Sequence, residues 1–139
     1  MGHVLTNAKM ENLRDLWAVQ EGRLPADQAR LVTVSDALVD SGATTLAMPT
    51  RLIHQLGLQK AYERACIYTR GESTVQVFDA VRLTIMDRFL SVDVMEVPDG
   101  VPVLIGQISL EMLDLVVDAR QQRLTGNPAH KGEHVLELL

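Results

Sequence analysis

The chain has 139 residues, 47% of them hydrophobic, which fits a single globular domain with one packed core. Its 13 Lys and Arg residues are outnumbered by 18 Asp and Glu residues, the net charge is -5, and only 4% of the residues are aromatic. Because nucleic-acid-binding proteins need a basic surface for phosphates or aromatic platforms for bases, we expect no DNA or RNA partner.

The sequence carries no recognisable membrane or secretion signal. No apolar run reaches the roughly 18 residues of a membrane-spanning helix, and the opening MGHVLTNAKMEN lacks the cationic and apolar regions of a signal peptide. We therefore expect no membrane association and a cytoplasmic location. The single cysteine, Cys66, cannot form an internal disulfide, and its apolar neighbours in RACIY predict a small buried residue instead of a nucleophile.

The first third of the chain is predicted to contain two strands around a short helix. HVLTNAKMEN is strand-like, and Asn12 is placed to cap a helix over LRDLWAVQEG that ends at Gly22. LPADQAR reads as a polar connector. In LVTVSDALVD, Val32 and Val34 occupy alternate positions, which is typical of a strand, and this strand runs into Asp40.

A short strand and a two-turn helix are predicted next. TTLAM is β-prone, and PTRLIHQLGL has Pro49 where a first helical residue tolerates proline. Leu52, Ile53 and Leu56 lie on one side of that helix. Gly57 is the expected left-handed C-cap, with Leu58 packing back on the helix.

The second half of the chain is predicted to be mostly antiparallel strands. Apolar residues alternate at Val75 and Val77, at Val81, Leu83 and Ile85, and at Leu90, Val92 and Val94. The break TRGES suggests a hairpin with Gly71 at or near its tip, and MDRF and PDGVP mark later turns. VLIGQ, closed by Gly106, precedes a short helix that Ser109 is expected to cap, and LVVD and RLTG form a last hairpin.

The stretch ALVDSGATT, residues 37–45, holds the candidate catalytic carboxylate. Two apolar residues, Leu38 and Val39, are followed there directly by Asp40, Ser41, Gly42 and Ala43. This stretch resembles the retropepsin-like aspartic proteases, whose D-[ST]-G-A signature it matches. VLIGQISLEMLDLVVD resembles the family's second apolar-apolar-Gly and helix segment, and the hairpin between them resembles its flap. The resemblance covers about residues 30–126 and is closer to bacterial and cellular single-domain members than to retroviral enzymes.

The resemblance implies the fold and the activity. The expected fold is mainly β, a closed-barrel-like acid protease fold with two or three short helices, in one domain over residues 1–139. The expected function is that of an aspartic endopeptidase that hydrolyses a polypeptide substrate as a two-fold homodimer, with no metal and no cofactor.

The homodimer follows from the chemistry of Asp40. Hydrolysis of a peptide bond without a metal or a covalent intermediate needs one group to take a proton from water and another to give one to the carbonyl, which two facing carboxylates sharing one proton can do. The chain has one Asp-Ser-Gly motif, so the second carboxylate is expected to be Asp40 of another copy, related by a two-fold axis.

The neighbours of Asp40 have expected roles in this arrangement. Gly42 lets backbone amides approach the carboxylate, which a Cβ would obstruct. By similarity to the family, the Ser41 hydroxyl reaches the partner's backbone, and Asp40, Ser41 and Gly42 form the catalytic set. Ala43 keeps the substrate floor small.

The TRGES hairpin is the candidate flap over the substrate. It is centred on Arg70, Gly71 and Glu72, and an extended peptide would add as a strand between this flap and the floor. Tyr68 invites comparison with the flap tyrosine of pepsin-like enzymes; ordinary strand packing is the alternative. With Ala43, Gly71 and Tyr68 are the predicted substrate-binding residues.

Some features depart from the family pattern. Many retroviral members carry arginine where this chain has Gln107, so a charge that helps to fasten their dimer is missing. Apolar contacts of the tail are expected either to stabilise the dimer, by pairing terminal strands of the two subunits, or to pack within one chain. The apolar residues of this tail are Val135, Leu136, Leu138 and Leu139. The flap has one glycine, which predicts stiffer opening.

Two other carboxylate or histidine candidates are weaker. His130 and His134 have i, i+4 spacing around Glu133, but Pro and Gly in GNPAHKGEH argue against a helix, so solvated tail histidines are favoured over a metal site. Asp36 is interpreted as a surface carboxylate.

Two other functions remain open from the sequence. One is a dimer with the acid protease fold that cleaves nothing and acts as a binding or assembly module. The other is a monomeric β-rich ligand-binding domain with an accidental Asp-Ser-Gly.

Overall fold

The computed structural model describes residues 3–68 and 71–138, apart from the side chain of Tyr68. These residues form a mainly β structure with three short α-helices, which confirms the expected class. In chain order the elements are β1 (Val4–Asn12), α1 (Leu13–Gln20), β2 (Leu31–Val39), β3 (Leu46–Pro49), α2 (Thr50–Gln55), β4 (Lys60–Tyr68), β5 (Gly71–Ile85), β6 (Arg88–Val97), β7 (Leu104–Ile105), α3 (Gln107–Met112), β8 (Leu115–Asp118) and β9 (Arg123–Gly126).

Seven strands form one sheet, in the order β1-β2-β7-β3-β6-β5-β4, and β5 also pairs with β1. The strands β8 and β9 form a separate antiparallel pair. The two-residue β7 lies between β2, to which it is parallel, and β3, to which it is antiparallel. This insertion brings the segment that follows β2 next to the start of α3.

The predicted caps of the first two helices are confirmed. The Asn12 side chain accepts a hydrogen bond of 3.1 Å from the Asp15 N–H at the start of α1. Gly57 has a φ of 66°, and the Leu58 N–H donates to the Ile53 carbonyl at 3.2 Å, which closes the end of α2. The helix begins at Thr50, one residue after the Pro49 predicted as its first residue.

The core collects side chains from the sheet, α2 and α3. Its largest fully buried members are Met10, Leu46, Met48, Ile53, Leu56, Val81, Leu83, Ile85, Val94, Ile105 and Leu113. The alternation predicted for β5 is confirmed, since the residues at odd positions from Val81 to Ile85 point inward. No helix in the described residues has the length and apolarity that crossing a bilayer would take.

A bulge in β2 changes which residues of that strand face the core. Val34 pairs with Ala8 and Ala37 pairs with Thr6, so Ser35 and Asp36 lie opposite a single residue of β1. The side chains that face the core therefore change from even-numbered positions before the bulge, as at Val32, to odd-numbered positions after it, as at Ala37. Asp36 is exposed on the bulge, as a surface carboxylate was predicted to be.

Two predictions from local sequence are wrong. Ser109 does not cap α3; the helix begins two residues earlier, at Gln107, and Ser109 is buried inside it. Cys66 is only partly buried, because β4 is the outermost strand of the sheet and has a hydrogen-bonded neighbour on one side only. Its neighbour Ile67 is 83% exposed.

Candidate active site

Asp40 is the first residue after β2, and its backbone and side chain are both held in place. Its N–H donates to the Ile105 carbonyl in β7 at 2.9 Å, and its carbonyl accepts from the Ala43 N–H at 3.0 Å. Its Oδ1 accepts from the Gly42 N–H at 2.9 Å. Asp40 is partly exposed and Ser41 and Gly42 are exposed, so the turn presents a fixed carboxylate at the surface of the chain.

Gly42 is in close contact with the carboxylate. A Cβ at this position would lie 3.2 Å from Asp40 Oδ1, which is tighter than most Cβ contacts. A side chain would therefore push against the oxygen that the Gly42 amide binds. This agrees with the physical reason for a glycine here.

The start of α3 binds the backbone that leaves the Asp40 turn. The Gln107 N–H donates to the Ala43 carbonyl at 3.1 Å, and the Ile108 N–H donates to the Thr44 carbonyl at 2.8 Å. Two of the N–H groups that the first helical turn leaves free are thus bound by the backbone that follows Asp40. This is why the helix needs no capping side chain and begins before Ser109.

The Thr45 carbonyl receives two further hydrogen bonds from the same segment. The Gly106 N–H donates to it at 2.7 Å and the Ser109 hydroxyl at 2.9 Å. Sequence reasoning missed Ser109 and Thr45 as supports of the site, because their contact joins segments far apart in the chain. The signal in the sequence was only a serine between two apolar residues, Ile108 and Leu110.

The candidate flap is a two-stranded hairpin that stands out from the core. The strands β4 and β5 pair down to Tyr68 and Gly71, and Thr69 and Arg70, which would form the tip, lie outside the described residues. Gly71 is exposed and has a φ of 136°. The Tyr68 side chain also lies outside the described part. No hydrogen bond among the described residues joins this hairpin to the Asp40 turn.

Two surface grooves lie away from Asp40. One, of about 1020 Å³, runs beside α1 and is lined by Trp17, Asp15 and Arg30 among others. The other, of about 630 Å³, lies near the β5–β6 turn and includes Lys9 and Asp87. Neither groove is lined by residues of the Asp40 turn.

The prediction of solvated tail histidines is wrong for His130. Its side chain is 15% exposed, and its two ring nitrogens lie beside the carboxylates of Asp114 and Glu137. In the described ranges, no group of three His, Cys, Asp or Glu side chains is arranged to hold a metal ion.

Comparison with known proteins identifies the family. The sequence model of a family described as aspartyl protease matches residues 28–109, a range that contains the Asp40 turn, the hairpin and the Gly106 segment. No curated protein was found to match the chain. The matched range is more than half of the chain and agrees with the retropepsin-like resemblance. This protein therefore belongs to the retropepsin-like aspartyl protease family.

Proposed function

We propose that this protein is an aspartic endopeptidase that works as a homodimer, with one Asp40 carboxylate from each chain. The observation that supports this most is how Asp40 is held at the surface. Its carboxylate accepts a hydrogen bond from the Gly42 amide and its N–H donates to β7, while the residue stays partly exposed to solvent. A second copy is needed because the family chemistry uses two carboxylates and the sequence has one Asp-Ser-Gly.

The two carboxylates share one proton and have complementary roles. The ionised one takes a proton from water as the water oxygen bonds to the peptide carbonyl carbon. The protonated one gives its proton to the carbonyl oxygen. Proton transfer to the leaving nitrogen then accompanies cleavage of the C–N bond, and the carboxylates return to their starting state.

The arrangement of the loop supports a two-fold contact at this surface. Ser41 and Gly42 are exposed beside the carboxylate, so a partner can approach without rearrangement of the core. In the dimer the Ser41 hydroxyl binds the partner's backbone and fixes the two turns relative to each other. The additional β1–β5 pairing supports the closed-barrel-like form of each subunit.

The substrate is an extended polypeptide lying between the hairpin and the Asp40 turn. The exposed hairpin offers strand edges to which a peptide backbone can hydrogen-bond. Ala43 lies in the floor, where a small side chain leaves room for the substrate backbone. Gly71 and Tyr68 are the residues of the hairpin assigned to contact the peptide.

The test compares wild type, Asp40→Asn and Asp36→Asn on a peptide library at acidic and neutral pH. Asp36 is the matched control, since it is an exposed carboxylate on β2, four residues before Asp40. We expect Asp40→Asn to lower kcat by about 100-fold or more, the usual loss for a general acid or base. Asp36→Asn should cleave like wild type.

Sedimentation of the same samples separates the alternatives. Dimeric Asp40→Asn without cleavage supports the proposal, and cleavage by Asp40→Asn at the wild-type rate contradicts it. A dimeric wild type that cleaves nothing favours the binding or assembly module. An inactive monomer favours the ligand-binding domain.

A further inference from the structure

Asp114, which follows α3, binds both the residue after β9 and the tail segment (residues 133–138). It is 6% exposed, lies between α3 and β8, and has a φ of 55°. Its Oδ1 accepts from Asn127 Nδ2 at 3.0 Å, and its Oδ2 accepts from the Val135 N–H at 3.1 Å. The His130 ring also reaches Oδ2, with Nδ1 at 2.6 Å.

His130 has a carboxylate at each end of its ring. While Nδ1 faces Asp114, Nε2 lies 2.7 Å from Glu137 Oε1. Both carboxylates accept hydrogen bonds, so both contacts are satisfied only when both nitrogens carry a proton. The neutral ring has one N–H and would turn a lone pair toward one of the two carboxylates.

The tail segment is attached by polar contacts while its apolar side chains face outward. Its described hydrogen bonds to the rest of the chain go to Asp114, to His130 and, from His134, to the Met112 carbonyl at 3.2 Å. The exposed fractions of its apolar residues are large: Val135 41%, Leu136 56% and Leu138 88%. Burial of apolar surface therefore does little to hold this segment.

We propose that Asp114, His130 and Glu137 form a pH-dependent latch, which holds the tail segment against the α3–β8 turn while His130 is protonated and releases it when the ring is neutral. The proposal is independent of the proposed function. The latch is nevertheless connected to the candidate active site through α3. The last turn of α3 leads into the latch, and its first turn binds the backbone after Asp40.

The charges around the latch favour the protonated ring. From β6, the Arg88 guanidinium donates to the carbonyls of Leu113 and Asp114, at 3.0 and 2.8 Å, and to that of Gly132. The other charged or titratable groups near the latch are Glu111 on α3, Asp118 on β8, Arg123 on β9, and Lys131, Glu133 and His134 beside it. Among the described residues, none of these six has a hydrogen bond or ion pair to the His130 ring. Two carboxylates thus contact the His130 ring directly, and Arg88 binds backbone oxygens instead.

The resulting shifts define the pH range of the latch. The hydrogen bond to Glu137, followed by that to Asp114, raises the pKa of His130 above its usual 6.5. The hydrogen bond from His130 lowers the pKa of Asp114 to about 2. On the neutral side, the attachment is therefore complete once pH falls below 6.5, and it is lost as pH rises through the raised His130 pKa. On the acid side it is lost as pH falls toward about 2.

Amide hydrogen exchange of residues 133–138 tests the latch, with rates corrected for the intrinsic pH dependence of exchange. In wild type we expect the Val135 amide to be protected at pH 6 and to lose about tenfold or more of that protection above the His130 pKa. His130→Gln should be weakly protected at both pH values. His54→Gln is the matched control, because His54 is exposed on α2, and it should keep the wild-type profile.

If His130→Gln misfolds, titration of the His130 ring by NMR in the wild-type protein tests the latch without the variant. A ring that titrates above 6.5 together with loss of Val135 protection supports the latch. The latch is rejected if His130 titrates at or below 6.5. It is also rejected if wild-type Val135 protection is the same on both sides of the titration, or if folded His130→Gln keeps the wild-type exchange profile.

Discussion

Two glycines border the candidate site, and their surroundings differ. At Gly42 a Cβ would meet only the Asp40 carboxylate, at 3.2 Å. At Gly106 a Cβ would lie 2.3 Å from the Thr44 carbonyl carbon and 2.6 Å from the Thr45 nitrogen, both backbone atoms. Those atoms belong to the segment that leaves the Asp40 turn, so they cannot move away without breaking its bonds to α3.

Gly106→Ala should therefore destabilise the protein strongly. We expect a loss of about 3 kcal/mol in the free energy of unfolding, at the upper end of overpacking effects, because the clash involves backbone on both sides. Urea unfolding at fixed protein concentration measures it. Gly100→Ala is the control, since a Cβ there has no neighbour within 4 Å, and it should change stability by less than about 0.5 kcal/mol. Equal stabilities of the two variants would refute this account of Gly106.

At the scale of elements, the sequence predicted the ends of helices correctly where the contact that fixes the end involves residues close together in the chain. The Asn12 cap of α1 and the Gly57 end of α2 depend on residues within a few positions, so their chemistry is readable from the chain. Ser109 was misassigned because the donors of α3 bind the Asp40 turn, which is distant in sequence. His130 was misassigned for the same reason, since its partner Asp114 lies 16 residues earlier, in the turn between α3 and β8.

The ion pair between Asp15 and Arg30 connects α1 to the start of β2. Arg30 Nε and Nη2 donate to the two carboxylate oxygens of Asp15 at 2.8 and 3.0 Å, and the Arg30 N–H donates to Oδ2 at 2.9 Å. The Arg30 guanidinium also covers Gly57, where a Cβ would collide with it. The pair thus joins α1, β2 and the end of α2.

Asp15→Asn should cost about 1 kcal/mol of stability at neutral pH, a modest value because half of the Arg30 side chain is exposed and solvent screens the pair. The Arg30 hydrogen bond lowers the pKa of Asp15, so this contribution is present above the usual 3.8 and is lost as pH falls through the lowered value. Unfolding titrations at pH 7 and near pH 2 measure the difference. Glu21→Gln, which removes the partner of an exposed Arg23, should change little at either pH. A cost for Asp15→Asn that does not shrink in acid would contradict the assignment.

At the scale of the molecule, the sequence identified both segments that build the site but could not show how they meet. The Asp40 turn and the Gly106 segment are brought together because β7 inserts between β2 and β3. The retropepsin-like resemblance singled out both segments, but neither it nor strand periodicity predicted the strand pairing that makes them neighbours. The pairing of two Asp40 residues stays a prediction, since it depends on a contact between chains.

Mixed dimers give the sharpest test of that pairing. If both carboxylates are needed, a wild-type chain paired with an Asp40→Asn chain is inactive. After subunit exchange, an equal amount of Asp40→Asn added to a fixed amount of wild type should lower cleavage to about half, because random pairing puts half of the wild-type chains in mixed dimers. Asp36→Asn chains added in the same amount should cause no such loss, since they carry an intact Asp40. If each chain cleaves by itself, added Asp40→Asn chains leave the rate of the wild-type chains unchanged, and the two-chain site is wrong even though Asp40 is catalytic.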